Sequence, residues 1–492
     1  MNSSKIENRV MDSFKLFNKE FPFFKILITS IFIAGILLRV IFYSFDRAFW
    51  NDECALALNI VKTWNYFSTL EYNQVAPPIF LYLSKIFYYI FPDKELALRF
   101  LPLLFSIGSI PLFYKLTKTF VKNKFSILVA TVLFVFSYNI IYYAQEFKQY
   151  SSDIFVFLLI LLSYKKYSKP LTKKDICLLS FIYTISVWFS FTSIFALFAI
   201  LITVILYYRE NLKKTLLIFI SVGISLLCLY CLTLTTQHNN YLYEFWDDGF
   251  ISGNLSSIIK LVLKNLKYAF SSIIIPMIFL FTALIVSVFK EKNKPEFCLI
   301  ISPVILTLFF SYLKIYPFKE RLILFLIPVF MIFSAKVFDY IKIKNNVSDV
   351  ILKLFLCYIL VSPLIHLTHH KIFLHNYKNE DMPSLLEIAY NNAKIEDTII
   401  IAESNVISYN YYSRDINSSI PVITEDKRVS NTNEYIKRLS SYPKGRTYYW
   451  ICSRHKDQKE FLQYVMNWAE QYPDFSIHSD KHLNTIIRYT LK

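Results

Sequence analysis

Asp52 and Glu53 follow the first long apolar run, in Phe49-Trp50-Asn51-Asp52-Glu53. Carboxylates beside a membrane are costly to keep, and those that persist tend to mark function. Three further polar clusters interrupt the apolar sequence. They are Gln145-Glu146 with Lys148 and Tyr150, the 235–267 stretch with His238, Glu244, Trp246, Asp247 and Asp248, and Lys319-Glu320-Arg321. A carboxylate can remove a proton from a hydroxyl. Basic groups can hold a phosphate as it departs. Each cluster alone also has a plainer reading. Asp52-Glu53 could cap a helix, Glu146 and Lys148 could form an interfacial ion pair, and Arg321 could anchor a span at the headgroups. Lys85 and Arg99 could snorkel along apolar surface.

The elements that must position these groups are set by hydropathy. The chain has 492 residues, 55% hydrophobic and 18% charged, with a mean hydropathy of +0.40. Soluble domains carry about 25% charged residues. Runs such as 26–43 and 125–143 approach the ~20 residues that cross a bilayer. The fold class expected is therefore an α-helical polytopic membrane protein. Eleven spans are predicted, near 22–45, 96–116, 125–142, 151–164, two within 176–208 divided near Ser190, 215–234, 268–289, 296–313, 322–338 and 348–366. The segment 78–91 opens on Pro77-Pro78, contains Lys85 and is short for a span, so it reads as a helix lying along the interface.

The net charge of +17 fits the positive-inside rule better than nucleic-acid binding, because the charges lie between spans. Lys5, Arg9, Lys15 and Lys19 put the N-terminus in the cytoplasm, and Lys-rich 115–124 and 165–174 share that side. All four polar clusters then face outward, with the C-terminus. The first span lacks a small-residue cleavage site and reads as a retained anchor.

Two domains are expected: 1–367 in the membrane, with interfacial helices in a first outer loop at 46–95, and 368–492 as a small extracytoplasmic α/β domain. In the latter, Met382–Asn392, 434–440 and 457–472 read as helices. Thr398-Ile399-Ile400-Ile401-Ala402, Thr447–Cys452 and 486–491 read as strands. Cys228 and Cys231 have CxxC spacing but sit in an apolar run, where cysteine acts as a small hydrophobe. His366, His369, His370 and His375 are spaced too loosely for a metal site. No metal ligand is assigned.

Taken in order, the polar motifs resemble those of a known family. Phe49-Trp50-Asn51-Asp52-Glu53-Cys54-Ala55 resembles the first-loop Trp-x-Asp-Glu motif of lipid-linked-sugar glycosyltransferases. Ala76-Pro77-Pro78-Ile79-Phe80-Leu81-Tyr82 is similar to their interfacial helix. Glu95 to Pro102, Ser137 to Tyr150, and Arg321-Leu322 to Pro328 match three later motifs. Together they resemble GT-C glycosyltransferases of the family 39 type, which include protein O-mannosyltransferases and aminoarabinose transferases of lipid A. The resemblance covers about 20–340. Lys148 departs from it, standing where Arg is usual, and so does Tyr138, where Pro is common.

The resemblance implies transfer of a sugar from a polyprenyl-phosphate donor to a hydroxyl of a lipid, glycan or protein acceptor, at the outer face of a bacterial cytoplasmic membrane. It makes Asp52 the general base, with Glu53 orienting it or binding the acceptor, and Glu146 positioning sugar or acceptor. Lys85, Gln145, Lys148, Tyr150 and Arg321 become substrate-binding residues. No cofactor is required. A divalent metal is used by some members of the class and not by others, and Asp247-Asp248 is not a DxD motif. Two other functions fit the composition: a lipid or polysaccharide flippase, and a polysaccharide polymerase or ligase. The first would line its spans with charge, and these spans are nearly free of it. The second would place more than His238 in the large outer loop.

Overall fold

The computed structural model describes residues 21–65, 70–235, 240–270, 274–291, 294–340, 380–425, 432–453, 459–479 and 484–492. The N-terminal lysines and Arg9, His238, the span expected at 348–366 and the histidines from His366 to His375 lie outside the described residues. The chain forms two compact units: Met1–Ser44 with Asn65–Leu374, and Phe45–Trp64 with His375–Lys492. Phe45–Trp64, read from sequence as part of the first outer loop, thus belongs with the C-terminal unit.

The first unit is helical. Its elements are α1 (Phe21–Tyr43), then α3 (Pro78–Ile90), α4 (Lys94–Phe120), α5 (Lys124–Val135), α6 (Tyr138–Tyr142), α7 (Tyr150–Ser163), α8 (Lys173–Phe189), α9 (Ser193–Tyr207) and α10 (Leu212–Leu229). There follow α11 (Asn240–Phe245), α12 (Leu255–Ala269), α13 (Ile274–Glu291), α14 (Pro295–Tyr312) and α15 (Ile327–Tyr340). Among the described residues, five helices are long and apolar enough to cross a bilayer, or six counting one bent pair. The expected count of eleven is therefore not reached among them. Several apolar segments between, such as α7 and α9, form helices of 14 and 15 residues, shorter than a bilayer requires.

Local chemistry explains several element ends. Pro78 occupies the first turn of α3, where a missing N–H costs nothing. The Asp93 carboxylate accepts from Leu96 N at 2.9 Å and starts α4. The run expected as one span at 125–142 bends by 46° between α5 and the helical segment Tyr138–Gln145. The division expected near Ser190 is present between α8 and α9, and the Ser190 hydroxyl donates to Asp153 Oδ1 of α7 at 2.5 Å. A buried arginine, Arg39, joins three helices: Nε donates to Ser106 Oγ (2.9 Å), and Nη1 to the carbonyls of Gly35 (2.9 Å) and Val135 (3.0 Å). Such bonds offset the cost of a guanidinium among apolar spans. Gly35 is required there, because a Cβ would collide with Val135 Cγ1 of α5.

The C-terminal unit contains α2 (Asn51–Lys62), β1 (Thr398–Ile401), β2 (Val422–Thr424), β3 (Thr447–Cys452), β4 (Ser476–Ser479), β5 (Thr485–Thr490) and four further helices. These are α16 (Met382–Asn392), α17 (Val406–Tyr412), α18 (Thr432–Ser440) and α19 (Lys459–Ala469). Strand order is β2-β1-β3-β5-β4, parallel across β2-β1-β3 and antiparallel thereafter. Alternate side chains of β1, β2, β3 and β5 feed two cores. Ile400, Trp450 and Ile487 meet Tyr435, Leu439, Val465 and Trp468 on one face. Ile399, Ile401, Ile451 and Ile486 meet Leu385, Leu386 and Ala389 on the other. Trp450 Nε1 finds the Tyr435 hydroxyl at 2.8 Å, as a buried indole must.

Candidate functional site

In the C-terminal unit, Asp52 and Glu53 occupy the first turn of α2, where the helix dipole favours negative charge. Their environments differ. Asp52 is half-buried and Glu53 is fully buried. Glu53 Oε2 lies 3.3 Å from Nη1 of buried Arg47. The start of α2 is held by α17 and by the segment before α16. Phe49 N donates to the Tyr412 hydroxyl at 2.6 Å, and the Ser408 hydroxyl donates to Asn51 Oδ1 at 3.2 Å. Asn51 N donates to Glu380 Oε2 at 2.6 Å.

Glu380 was not among the residues singled out from sequence, being 327 positions from Glu53 with no motif to mark it. Burial pushes its carboxyl up to about 7; the Asn51 N–H opposes this, and the charges of Asp52 and Glu53 add to it. The sign of the resulting pH dependence follows. A folded-state pKa above the ordinary 4.5 gives stability that is full below pH 4.5 and is lost as pH rises through about 7. Glu380→Gln is expected to remove this slope. The thermal unfolding of the full chain should fall between pH 5 and pH 8 more steeply in the wild type than in the variant, by on the order of 3 kcal/mol at most. Parallel curves would contradict the assignment.

In the first unit, the motif around Glu146 forms a tight loop between α6 and α7. The chain turns through a short 3-10 segment, Tyr143–Gln145. The Ser151 hydroxyl donates back to Tyr143 O at 2.8 Å, closing the loop. Gln145, Glu146, Lys148 and Tyr150 are all buried. Tyr142 donates to Glu146 Oε1 at 3.4 Å. Lys148 Nζ donates to Gln74 Oε1 at 2.6 Å, and Gln149 Nε2 to Val75 O at 3.3 Å. Phe147 stacks on Phe80 of α3 at 5.9 Å. Helix α3, the segment before it and the Glu146 loop are therefore one assembly. Lys85 of α3 is buried, with Nζ 5.8 Å from the Tyr89 ring.

Arg321 joins the same assembly from the start of the last described span. Its guanidinium lies 6.0 Å from the Tyr150 ring and 5.3 Å from the Trp246 ring. The charges of Arg321 and Glu146 both act on the Tyr143 hydroxyl, which accepts from the Tyr268 hydroxyl at 3.1 Å. Lys319 is otherwise engaged: Nζ lies 2.5 Å from Asp248 Oδ1 and holds that carboxyl below its usual range.

The structure thus brings Gln145, Glu146, Lys148, Tyr150 and Arg321 into one polar assembly in the first unit, with Lys85 on the adjoining helix. Asp52 and Glu53 sit in the other unit, beside Glu380. Gln74 and Tyr268 were missed from sequence, because a lone Gln and a lone Tyr carry no spacing signal, and Tyr143, inside the motif from Ser137 to Tyr150, was given no role. Among the described residues no group of three or more His, Cys, Asp and Glu is arranged to hold a metal ion. The first unit can present buried cations and tyrosine hydroxyls to an anion, and the second a half-exposed carboxylate to a hydroxyl.

No protein-family model matches the sequence, and no curated protein matches it either. Among solved structures, the chain is similar to ArnT from Cupriavidus metallidurans. Its crystal structure bound to undecaprenyl phosphate shares 11% identity at a TM-score of 0.54, covering 94% of this chain and 97% of that one. The apo state shares 12% identity at a TM-score of 0.53, with the same coverage. At such identity the likeness is one of fold, and the fold of this chain is of the GT-C type, a polytopic helical membrane architecture with a small C-terminal α/β domain.

Proposed function

We propose that this protein is a GT-C glycosyltransferase of the family 39 type, moving a sugar from a polyprenyl-phosphate donor to a hydroxyl of a cell-envelope acceptor. The observation that carries the reading is the likeness to ArnT along nearly the whole of both chains, one of those structures holding undecaprenyl phosphate. The order of motifs in the sequence supports it. In this reading Asp52 takes the proton from the acceptor hydroxyl. The hydroxyl oxygen forms a bond to the anomeric carbon, and the bond from that carbon to phosphate oxygen breaks. Polyprenyl phosphate leaves with the electron pair, and the anomeric configuration inverts. Arg321 and Lys148, with Lys85, offset the charge of the leaving phosphate. Glu146 and Gln145 orient the sugar or the acceptor, and Glu53 orients Asp52. The setting is the outer face of a bacterial cytoplasmic membrane, with eleven spans and the 368–492 domain outside.

The test is comparative mass spectrometry of envelope lipids, polysaccharides and proteins from cells with and without the protein. One glycan should lose a single sugar when the protein is absent, and should regain it on complementation. Unchanged glycans, with a lipid-linked sugar accumulating on one side of the membrane, would instead indicate a flippase.

A further inference from the structure

The 235–267 stretch reads as a loop from sequence, yet its second half is α12, and the faces of that helix differ sharply. At 100° per residue, Leu255, Ile259 and Leu263 form one stripe, exposed by 71%, 48% and 41%. Lys260, Lys264 and Lys267 form the next stripe and are also exposed. Asn265 and Ala269 lie on the remaining face and are buried, and so is Leu266, where the aliphatic stripe reaches the last turn. A helix in water would not leave three large aliphatic side chains open beside three lysines. A helix at a bilayer surface would, with the aliphatic stripe in the acyl boundary and the ammonium groups among phosphates.

The level of α12 is fixed independently. Asn265 Nδ2 donates to Phe318 O at 2.8 Å, and Glu320 N donates to Asn265 Oδ1 at 2.6 Å. Those two bonds tie α12 to the residues that open the apolar span Glu320–Tyr340, so α12 lies at the level of that end of the span. Lys264 also lies 3.5 Å from Asp248 Oδ2, and Asp248 pairs with Lys319. The segment Phe318–Arg321 is therefore held by the buried face of α12.

We propose that α12 docks on the anionic phospholipid headgroups of the bilayer through Lys260, Lys264 and Lys267. The docked helix then fixes Asn265 and, through it, the segment that carries Arg321. The ligand chemistry is a lipid phosphate diester beside an acyl chain, matched by the adjoining basic and aliphatic stripes. The inference concerns membrane docking and stands whether or not the chain transfers sugars.

The full chain is reconstituted in nanodiscs of phosphatidylcholine alone, or with equimolar phosphatidylglycerol. A nitroxide on a genetically encoded side chain at position 259, 263 or 253 reports collisions with oxygen and with a water-soluble nickel chelate. At 259 and 263 oxygen should dominate in the phosphatidylglycerol discs, and at 253 nickel should. In Lys260→Gln and Lys267→Gln, the ratio of docked to undocked signal at 259 should fall about fivefold for each lysine replaced. Nickel access at 259 and 263 in both lipids would overturn the proposal. So would equal docking in the two lipids with no effect of the lysine variants, or dipolar broadening at 259 showing a second copy on this face.

Discussion

Asp52→Asn should lower the rate of sugar transfer by about 10² or more while leaving the protein folded. The substitution keeps shape and removes the acceptor for the hydroxyl proton. Asp52 is the better choice of the pair because it is the more accessible. Glu53 is fully buried against Arg47, whereas Asp52 is half-buried one residue earlier in the same helical turn. Glu53→Gln is therefore expected to act differently. It takes a carboxylate from beside a buried guanidinium, a loss that typically costs about 3–5 kcal/mol, so activity and thermal stability should fall together. Rates with a purified lipid-linked sugar, measured beside Tm for both variants, separate the two roles. A transfer rate within about threefold of wild type for Asp52→Asn is too small for loss of a general base and would remove that role. A matching loss of Tm in Asp52→Asn would make its effect structural.

The elements with strong periodicity were legible. Met382–Asn392 and Thr447–Cys452 run between the residues expected, because a proline start and a run of β-branched and aromatic residues mark them. The break at Ser190 was legible because 176–208 is too long for one helix. Val422–Thr424 and Ser476–Ser479 were not, being three and four residues long, with β4 exposed throughout. The helix at Asn51–Lys62 was hidden by its setting: a Trp-Asn-Asp-Glu start reads equally as loop. The candidate site was legible in its charged members, since charge is rare in this sequence and each survivor draws notice. Its neutral and distant members were not. Gln74 reaches Lys148 across 74 positions, and Glu380 reaches Asn51 across 329. Only the fold brings such pairs together, and no local pattern announces them.

Arg321→Ala should weaken binding of undecaprenyl phosphate about 10- to 100-fold, the range for one lost hydrogen bond to a charged group. The argument rests on what surrounds the guanidinium. Trp246 and Tyr150 present ring faces at 5.3 and 6.0 Å, which favour and orient a planar cation at this place. The adjacent cation, Lys319, pairs with Asp248 at 2.5 Å, and a group so paired substitutes poorly for Arg321. Arg321→Lys keeps the charge and loses the two-pronged donor geometry, so its affinity should fall between those of Ala and wild type. Lys165→Ala, an exposed lysine in the Tyr164–Ser168 turn, should leave affinity within about twofold. Calorimetric titration of the protein in nanodiscs with the lipid phosphate reads all three. Equal losses for Arg321→Ala and Lys165→Ala would assign Arg321 to anchoring its span rather than to the donor. A Lys variant as weak as Ala would make the planar fork, rather than the charge, the feature that the phosphate requires.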